Sequence, residues 1–189
     1  MSSPSERSRG APVKRRRRAL LAVGLTLTLT PLLGAAALEL AIRAAPYPRE
    51  ALTRGFPESL QLQDRHGAAL REVVNAQGER AKWTPLDQLS PLVVQATLAV
   101  EDDRFERHPG VDARAVARAV VADLRARRLA QGGSTLTMQL ARLVRPHPRG
   151  VVEKLGEMVD ALRLERAFTK QELLEQYLNR APYGASTIG

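Results

Sequence analysis

The sequence predicts a mainly α-helical domain with a small β-hairpin at its front, preceded by one membrane-spanning helix. Three observations carry this reading. An uncharged run of twenty residues follows a basic N-terminus. After residue 90, apolar residues recur at helical spacing between clear start and stop signals. Before them, LQLQDRHGAALREVV (60–74) alternates apolar and polar residues around Arg65-His66-Gly67, as a hairpin does.

The charge is unevenly placed. Residues 1–18 hold seven cations (Arg7, Arg9 and Lys14 to Arg18) against Glu6, so they supply +6 of the formal +9. Residues 19–38, ALLAVGLTLTLTPLLGAAAL, carry no charge. As a helix they would span ~30 Å, the thickness of a hydrocarbon core. Pro31 is expected to kink that helix, which membranes tolerate. The cationic block predicts the tail (1–18) in the cytoplasm, the anchor over 19–42, and the rest outside. Ala35-Ala36-Ala37 also resembles a signal-peptidase site. A cleaved signal peptide has a shorter apolar core of about 7–15 residues, so the uncleaved anchor is preferred.

Residues 43–59, rich in Pro, Gly and Arg, read as a linker, and the folded domain as residues 60–189. Asn75 to Trp83 could add a strand. Ser90 and Pro91 open a helix as N-cap and first helical residue, with Val93, Ala96 and Val100 as its apolar face. Asp112 can cap a helix over 113–129, with Val116, Val120, Val121 and Leu124 on one side, stopped by Gln131-Gly132-Gly133. Ser134 is the expected cap of STLTMQLARLV, with Leu136, Leu140 and Leu143 inward. Helices over about 151–167 and from Thr169 to near Asn179 follow, the last opened by the capping-box pair Thr169 and Glu172.

The absence of cysteine excludes disulfides, thiolate metal sites and cysteine nucleophiles. Basicity confined to the tail, with few and scattered aromatics, argues against nucleic-acid binding. His66, His108 and His147 lack metal-ligand spacing.

Three stretches could carry chemistry. In VEDDRFERHPG (100–110), Glu101, Asp102 and Asp103 sit at a helix's C-terminal end, where the dipole disfavours negative charge. Such a local conflict is expected at a functional site. GGSTLTMQLAR (132–142) leads two glycines into a helix start, a place suited to an anion such as phosphate. In EKLGE (153–157), Lys154 and Glu157 are three residues apart on one helix face. Each alone has an ordinary explanation: a solvated acidic surface, a helix cap, a surface ion pair.

In order, the stretches are specific. ATLAVEDDRFERHPGVD, QGGSTLTMQLAR, EKLGE and KQELLEQYLNRAPYG closely resemble the motifs of glycosyltransferase family 51 over roughly residues 56–189. These are the peptidoglycan transglycosylases at the front of class A penicillin-binding proteins, and the forms here look most like the 1C branch. The resemblance implies a lysozyme-like transglycosylase domain at the outer face of the bacterial inner membrane, polymerising lipid II into a growing glycan strand. Glu101 matches the family's general base, acting on the 4-hydroxyl of the acceptor sugar. That oxygen attacks the donor's anomeric carbon with inversion and releases undecaprenyl pyrophosphate. Asp102, Phe105 and His108 match the rest of the first motif. Ser134, Thr135, Gln139 and Arg142 match the second, near the pyrophosphate and sugars. Lys154 and Glu157 match the third, with Glu157 as the second catalytic carboxylate, assisting the leaving group. Lys170, Tyr177 and Asn179 match a fourth, mainly structural motif. No cofactor is obligatory, although a divalent cation (Mg or Mn) could accompany the pyrophosphate. Other cell-wall synthesis proteins are expected partners.

Two departures stand out. Glu153 occupies the place where the family's third motif has Arg, with Arg145 and Arg149 as nearby cations that could compensate. The family's domain also continues for some tens of residues beyond the point matched by Gly189, and class A proteins add a transpeptidase domain. On that reading this is an incomplete domain, and two rivals stay open. One is an anchored fragment that binds lipid II or cell-wall partners without turnover. The other is a lysozyme-like glycan hydrolase, since paired carboxylates also serve glycosidases.

Overall fold

A computed structural model describes residues 11–45, 47–53, 56–126, 132–148, 150–184 and 186–189. The chain divides into two compact units, up to Ala45 and from residue 46 onward. The first is one helix, α1 (Ala11–Ala44), which continues through Pro31. Its stretch Gly24–Ala44 is long and apolar enough to cross a membrane, with only 6% of its apolar window buried. The threonines of this stretch fit that setting. Thr28 and Thr30 donate their hydroxyls to carbonyls one turn back, at 3.1 and 2.8 Å, so they need no water. Glu39 pairs with Arg43 one turn on at 2.8 Å.

The second unit opens with the hairpin β1 (Leu60–Gln63) and β2 (Ala69–Val73), paired antiparallel from Leu60–Val73 to Gln63–Ala69 with a bulge after Leu62. The turn is built by Asp64, whose carboxylate accepts the amides of His66 (2.8 Å) and Ala68 (2.9 Å). Gly67 supplies the positive φ of 83° that the turn needs. Asn75 repeats the device with the amides of Gln77 and Glu79, and Gly78 takes φ 78°. The alternation of residues 60–74 thus forms the expected hairpin, but neither of its faces is buried.

Only Arg80–Ala81 of the segment 75–83 becomes a strand, β3. It pairs in parallel with β5 (Thr187–Ile188), which also pairs antiparallel with β4 (Pro182–Gly184). Asn179, 1% exposed, holds this closure. Its side chain accepts the amide of Thr84 (2.6 Å) and donates to the carbonyls of Thr84 and Glu175 (2.9 Å each).

The helices are α3 (Pro91–Glu101), α4 (Ala113–Ala126), α5 (Leu136–Val144), α6 (Val151–Ala167) and α7 (Lys170–Leu178). They give the mainly helical domain that was expected. The core gathers Leu136, Leu140 and Ala141 of α5, Leu164 of α6, and Leu173, Leu174 and Leu178 of α7. Residues 43–59 are more than a linker: they contain the short helix α2 (Glu50–Thr53), and Tyr47 and Leu52 join this core. α7 has the full capping box between Thr169 and Glu172.

Three helix expectations are corrected. α3 starts at Ser90–Pro91 as expected, but Val94 and Leu98 face the core, whereas Val93, Ala96 and Val100 are exposed. The segment is apolar almost all round, so periodicity could not choose its face. On α4, Val120 is exposed and Val116 half-buried, because they border a cavity and not the core, and Val121 is also exposed. The stop at Gln131 and the side chain of Leu124 lie outside the described residues. Finally, Thr135, not Ser134, caps α5, accepting the amide of Met138 at 3.2 Å.

Asn179→Ala is expected to destabilise the domain by about 2–4 kcal/mol, because both Thr84 backbone groups lose their partner. Denaturant unfolding measures this. Glu172 is held below the usual carboxylate range by the Thr169 amide and hydroxyl. Its stabilisation is therefore complete above the ordinary carboxylate range and is lost as pH falls through the lower folded value. Thr169→Ala should cost about 1 kcal/mol at pH 7 and show a smaller loss of melting temperature from pH 6 to pH 3 than the parent.

Candidate active site

The acid cluster ends α3, and its three members part company there. Asp103 is exposed, Asp102 is buried and Glu101 faces a cavity. Asp102 leaves the helix with an extended backbone (φ −161°), which turns its side chain inward. Its carboxylate lies 3.0 Å from His108 Nε2 and accepts the Leu136 amide at 2.9 Å. Gly110 N donates to His108 Nδ1 at 3.2 Å, so the ring donates from Nε2. Gly110 itself has φ 96°, and a Cβ there would come within 2.7 Å of the Ala161 carbonyl oxygen. Only glycine lets this loop lie so close to α6.

The start of α5 is satisfied from within. Asp102 takes the first helical amide, and Thr135 Oγ1 caps Met138 and donates to the Gly110 carbonyl at 2.5 Å. The helix terminus expected to receive a phosphate therefore already holds an anion, the carboxylate of Asp102. Phe105 is 1% exposed, with its ring edge-on to His108 and the Lys170 ammonium 4.2 Å from its centroid. Lys170 also donates to the His108 carbonyl (2.8 Å) and pairs with Glu165 (2.7 Å).

In front of this buried layer lies a cavity of about 710 Å³. Glu101, Ser134, Gln139, Arg142, Lys154 and Glu157 all line it. The structure thus brings together six of the ten residues matched to the first three motifs. Asp102, Phe105, His108 and Thr135 lie behind the wall, bonded to protein groups.

Gln139 Nε2 donates to Glu101 at 2.8 Å, and its Oε1 accepts from Tyr177 OH at 3.2 Å. Lys154 donates to Ser134 Oγ (3.0 Å) and to the Gly132 carbonyl (3.3 Å). Having lost the capping role to Thr135, Ser134 turns into the cavity. Lys154 and Glu157 do not form the pair their spacing suggested. Glu157, 6% exposed, instead has Arg142 Nη1 at 3.6 Å and His147 Nε2 at 3.5 Å. Burial pushes the Tyr177 hydroxyl up to about 12, helped by the negative charge of Glu101, so it remains a proton donor at neutral pH.

The sequence profile of the transglycosylase family matches residues 66–189. The chain belongs to the transglycosylase family. Among similar proteins is penicillin-binding protein 1C of Escherichia coli, 42% identical over 123 residues, which are 65% of this chain and 16% of that protein. Penicillin-binding protein 2D of Bacillus subtilis is 40% identical over 134 residues, 70% of this chain and 19% of that protein. Penicillin-binding protein 1A of Escherichia coli is 39% identical over 120 residues, 62% of this chain and 14% of that protein. The chain spans less than a fifth of the length of these three relatives.

Within this transglycosylase domain, no three His, Asp or Glu side chains among the described residues come together as a metal site. Arg145 is directed to Asp160 (3.4 Å) and lies over the Tyr47 ring, outside the cavity lining. Arg149 lies outside the described residues. Two contributors escaped the sequence reading. His147 sits in a Pro-rich loop with no spacing signal, and Tyr177 matches a motif read as mainly structural, with no place at the site.

Asp102→Ala is expected to cost roughly 2–5 kcal/mol, because it strands two buried donors, His108 Nε2–H and Leu136 N–H. Asp102→Asn, which keeps one acceptor oxygen, should cost less. Thermal melting of the two variants against the parent checks the order.

Proposed function

We propose that this chain is a peptidoglycan glycosyltransferase domain that polymerises lipid II, with Glu101 as general base. The observation that carries the reading is the sharing of one cavity by two carboxylates and two cations from separate motifs: Glu101, Glu157, Arg142 and Lys154. Glu101 would take the proton from the acceptor sugar's 4-hydroxyl. The freed oxygen forms its bond to the anomeric carbon of the donor N-acetylmuramic acid. The bond from that carbon to the diphosphate oxygen breaks on the opposite face, with inversion, and its electron pair leaves with undecaprenyl pyrophosphate.

The charge developing on the diphosphate needs fixed positive groups. Lys154, held by Ser134 and the Gly132 carbonyl, and Arg142, held near Glu157, supply them. Glu157 lies between Arg142 and His147, which supports a role in orienting cations toward the leaving group. A divalent cation such as magnesium or manganese would arrive on the diphosphate, and no step above requires it. Asp102, Phe105, His108 and Thr135 serve by positioning the ends of α3 and α5. Gln139 holds the base. The apolar stretch of α1, with the cationic tail on the cytoplasmic side, would keep the enzyme at the inner membrane where its lipid-linked substrate and other cell-wall proteins reside.

The test is purified full chain in detergent with labelled lipid II. Long glycan is the expected product. Binding without product would instead support an anchored lipid II-binding fragment, and cleavage of preformed glycan a hydrolase. Glu101→Gln should lower polymerisation by at least about 100-fold while leaving the circular dichroism spectrum unchanged. Undiminished turnover in that variant would remove Glu101 as the base.

A further inference from the structure

Gln139 can hold Glu101 in its ionised form only if its amide faces the right way. An ionised carboxylate accepts hydrogen bonds and donates none, so it must meet the NH2 end of the amide. An unrestrained glutamine can turn and present its oxygen instead, which would repel the carboxylate. In this structure the amide has a second partner. Tyr177, on α7, donates its hydroxyl to Gln139 Oε1 at 3.2 Å, while Gln139 Nε2 reaches Glu101 at 2.8 Å.

We infer that Tyr177 is a positioning residue for the reaction, acting through Gln139 to hold Glu101 ready as a base. The inference rests on Glu101 being that base. Three features support it. The ring of Tyr177 is buried in the core (7% exposed), so its hydroxyl has a fixed place beside the cavity. The hydroxyl keeps its proton at neutral pH, with its acidity held down by burial first and by the charge of Glu101 second. The relay also joins three separate elements, α7, α5 and α3, so no local geometry requires it. The charged groups lining the same cavity come from each neighbouring element: Asp123 of α4, Arg142 of α5, His147 of the following loop, and Glu153, Lys154 and Glu157 of α6. A substitution at Tyr177 leaves all of them in place, so a change at Glu101 would report the relay.

The relay can be read without turnover. Full-length protein labelled with ¹³C-glutamate in detergent micelles gives a Glu101 side-chain resonance, assigned by its absence from Glu101→Gln. In Tyr177→Phe its titration midpoint should move up by about half to one pH unit, because the ionised form loses its oriented donor. Gln139→Leu should move it in the same direction. The double variant should move it no further than Gln139→Leu alone, since both changes break one chain of bonds. An unmoved midpoint in Tyr177→Phe, or fully additive shifts, would overturn the relay. Should Tyr177→Phe fail to fold, 3-fluorotyrosine at 177 keeps the ring and strengthens the donor. It should leave the midpoint at or below the parent's, and an upward move as large as that of Gln139→Leu counts against the proposal. Polymerisation assayed in parallel separates the two readings. An inactive Glu101→Gln with an unmoved Tyr177→Phe midpoint sinks the relay alone, whereas an active Glu101→Gln sinks the base assignment and the relay with it. If both hold, Tyr177→Phe lowers kcat at neutral pH by about three- to tenfold.

Discussion

The site depends on one buried carboxylate. Asp102 joins three pieces of chain: the end of α3, the His108 loop just after it, and the first amide of α5, 34 residues on. An anion in a buried place is costly unless it is fully bonded. Here it meets an imidazole N–H and the first amide of α5, at the positive end of that helix. The consequence reaches the surface. Once Asp102 is pinned to Leu136, its neighbour Glu101 is carried to the side of α5 that bears Gln139, one helical turn further along. A conflict visible in the sequence, acids at the wrong end of a helix, is resolved by lending one of those acids to the right end of another.

This division of labour explains the layout of the motifs. Residues that alternate between the buried layer and the cavity are adjacent in sequence: Glu101 with Asp102, and Ser134 with Thr135. In each pair one member ties the chain to the core, so the other is presented with little freedom. Gly110 completes the arrangement, since a side chain there would force the loop off α6. Preorganisation of this kind is what a reaction driven by electrostatic stabilisation requires, because groups that must reorganise lose much of their effect.

The features legible in the sequence were those written locally. The hairpin turns at Asp64–Gly67, the Ser90–Pro91 start, the bounds of α6 and the Thr169–Glu172 box each rest on residues a few positions apart. The features that escaped were decided by distant partners. Val94 and Leu98 face inward on α3 because the core lies on that side, and a segment apolar all round gives no periodic clue. Ser134 and Thr135 are equally good caps in isolation. The choice falls to Thr135 because its hydroxyl also reaches the Gly110 carbonyl and leaves Ser134 for Lys154. The strand β5 was invisible because its pairing with Arg80–Ala81 spans most of the domain. For the site, motif order named residues of which six share one cavity, and which of them face it was set by the three-dimensional bonds of Asp102 and Thr135.

The charge pattern of the cavity follows from the same logic. Its lining holds Glu101, Asp123, Glu153 and Glu157 against Arg142 and Lys154, with His147 beside them. By simple count such a cavity is a poor trap for a diphosphate. Simple count is misleading, however, because the carboxylates are not equally available. Glu157 is engaged with Arg142 and His147, and Glu101 with Gln139. Among the described residues, Lys154 is bonded to the neutral oxygens of Ser134 and Gly132 and to no carboxylate, so an arriving anion meets an ammonium that no acid has neutralised. At close range the position of each charge outweighs the total, since interaction energy rises as separation and local dielectric fall. In the proposed reaction, Arg142 and Lys154 would meet the anionic leaving group while Gln139 holds Glu101.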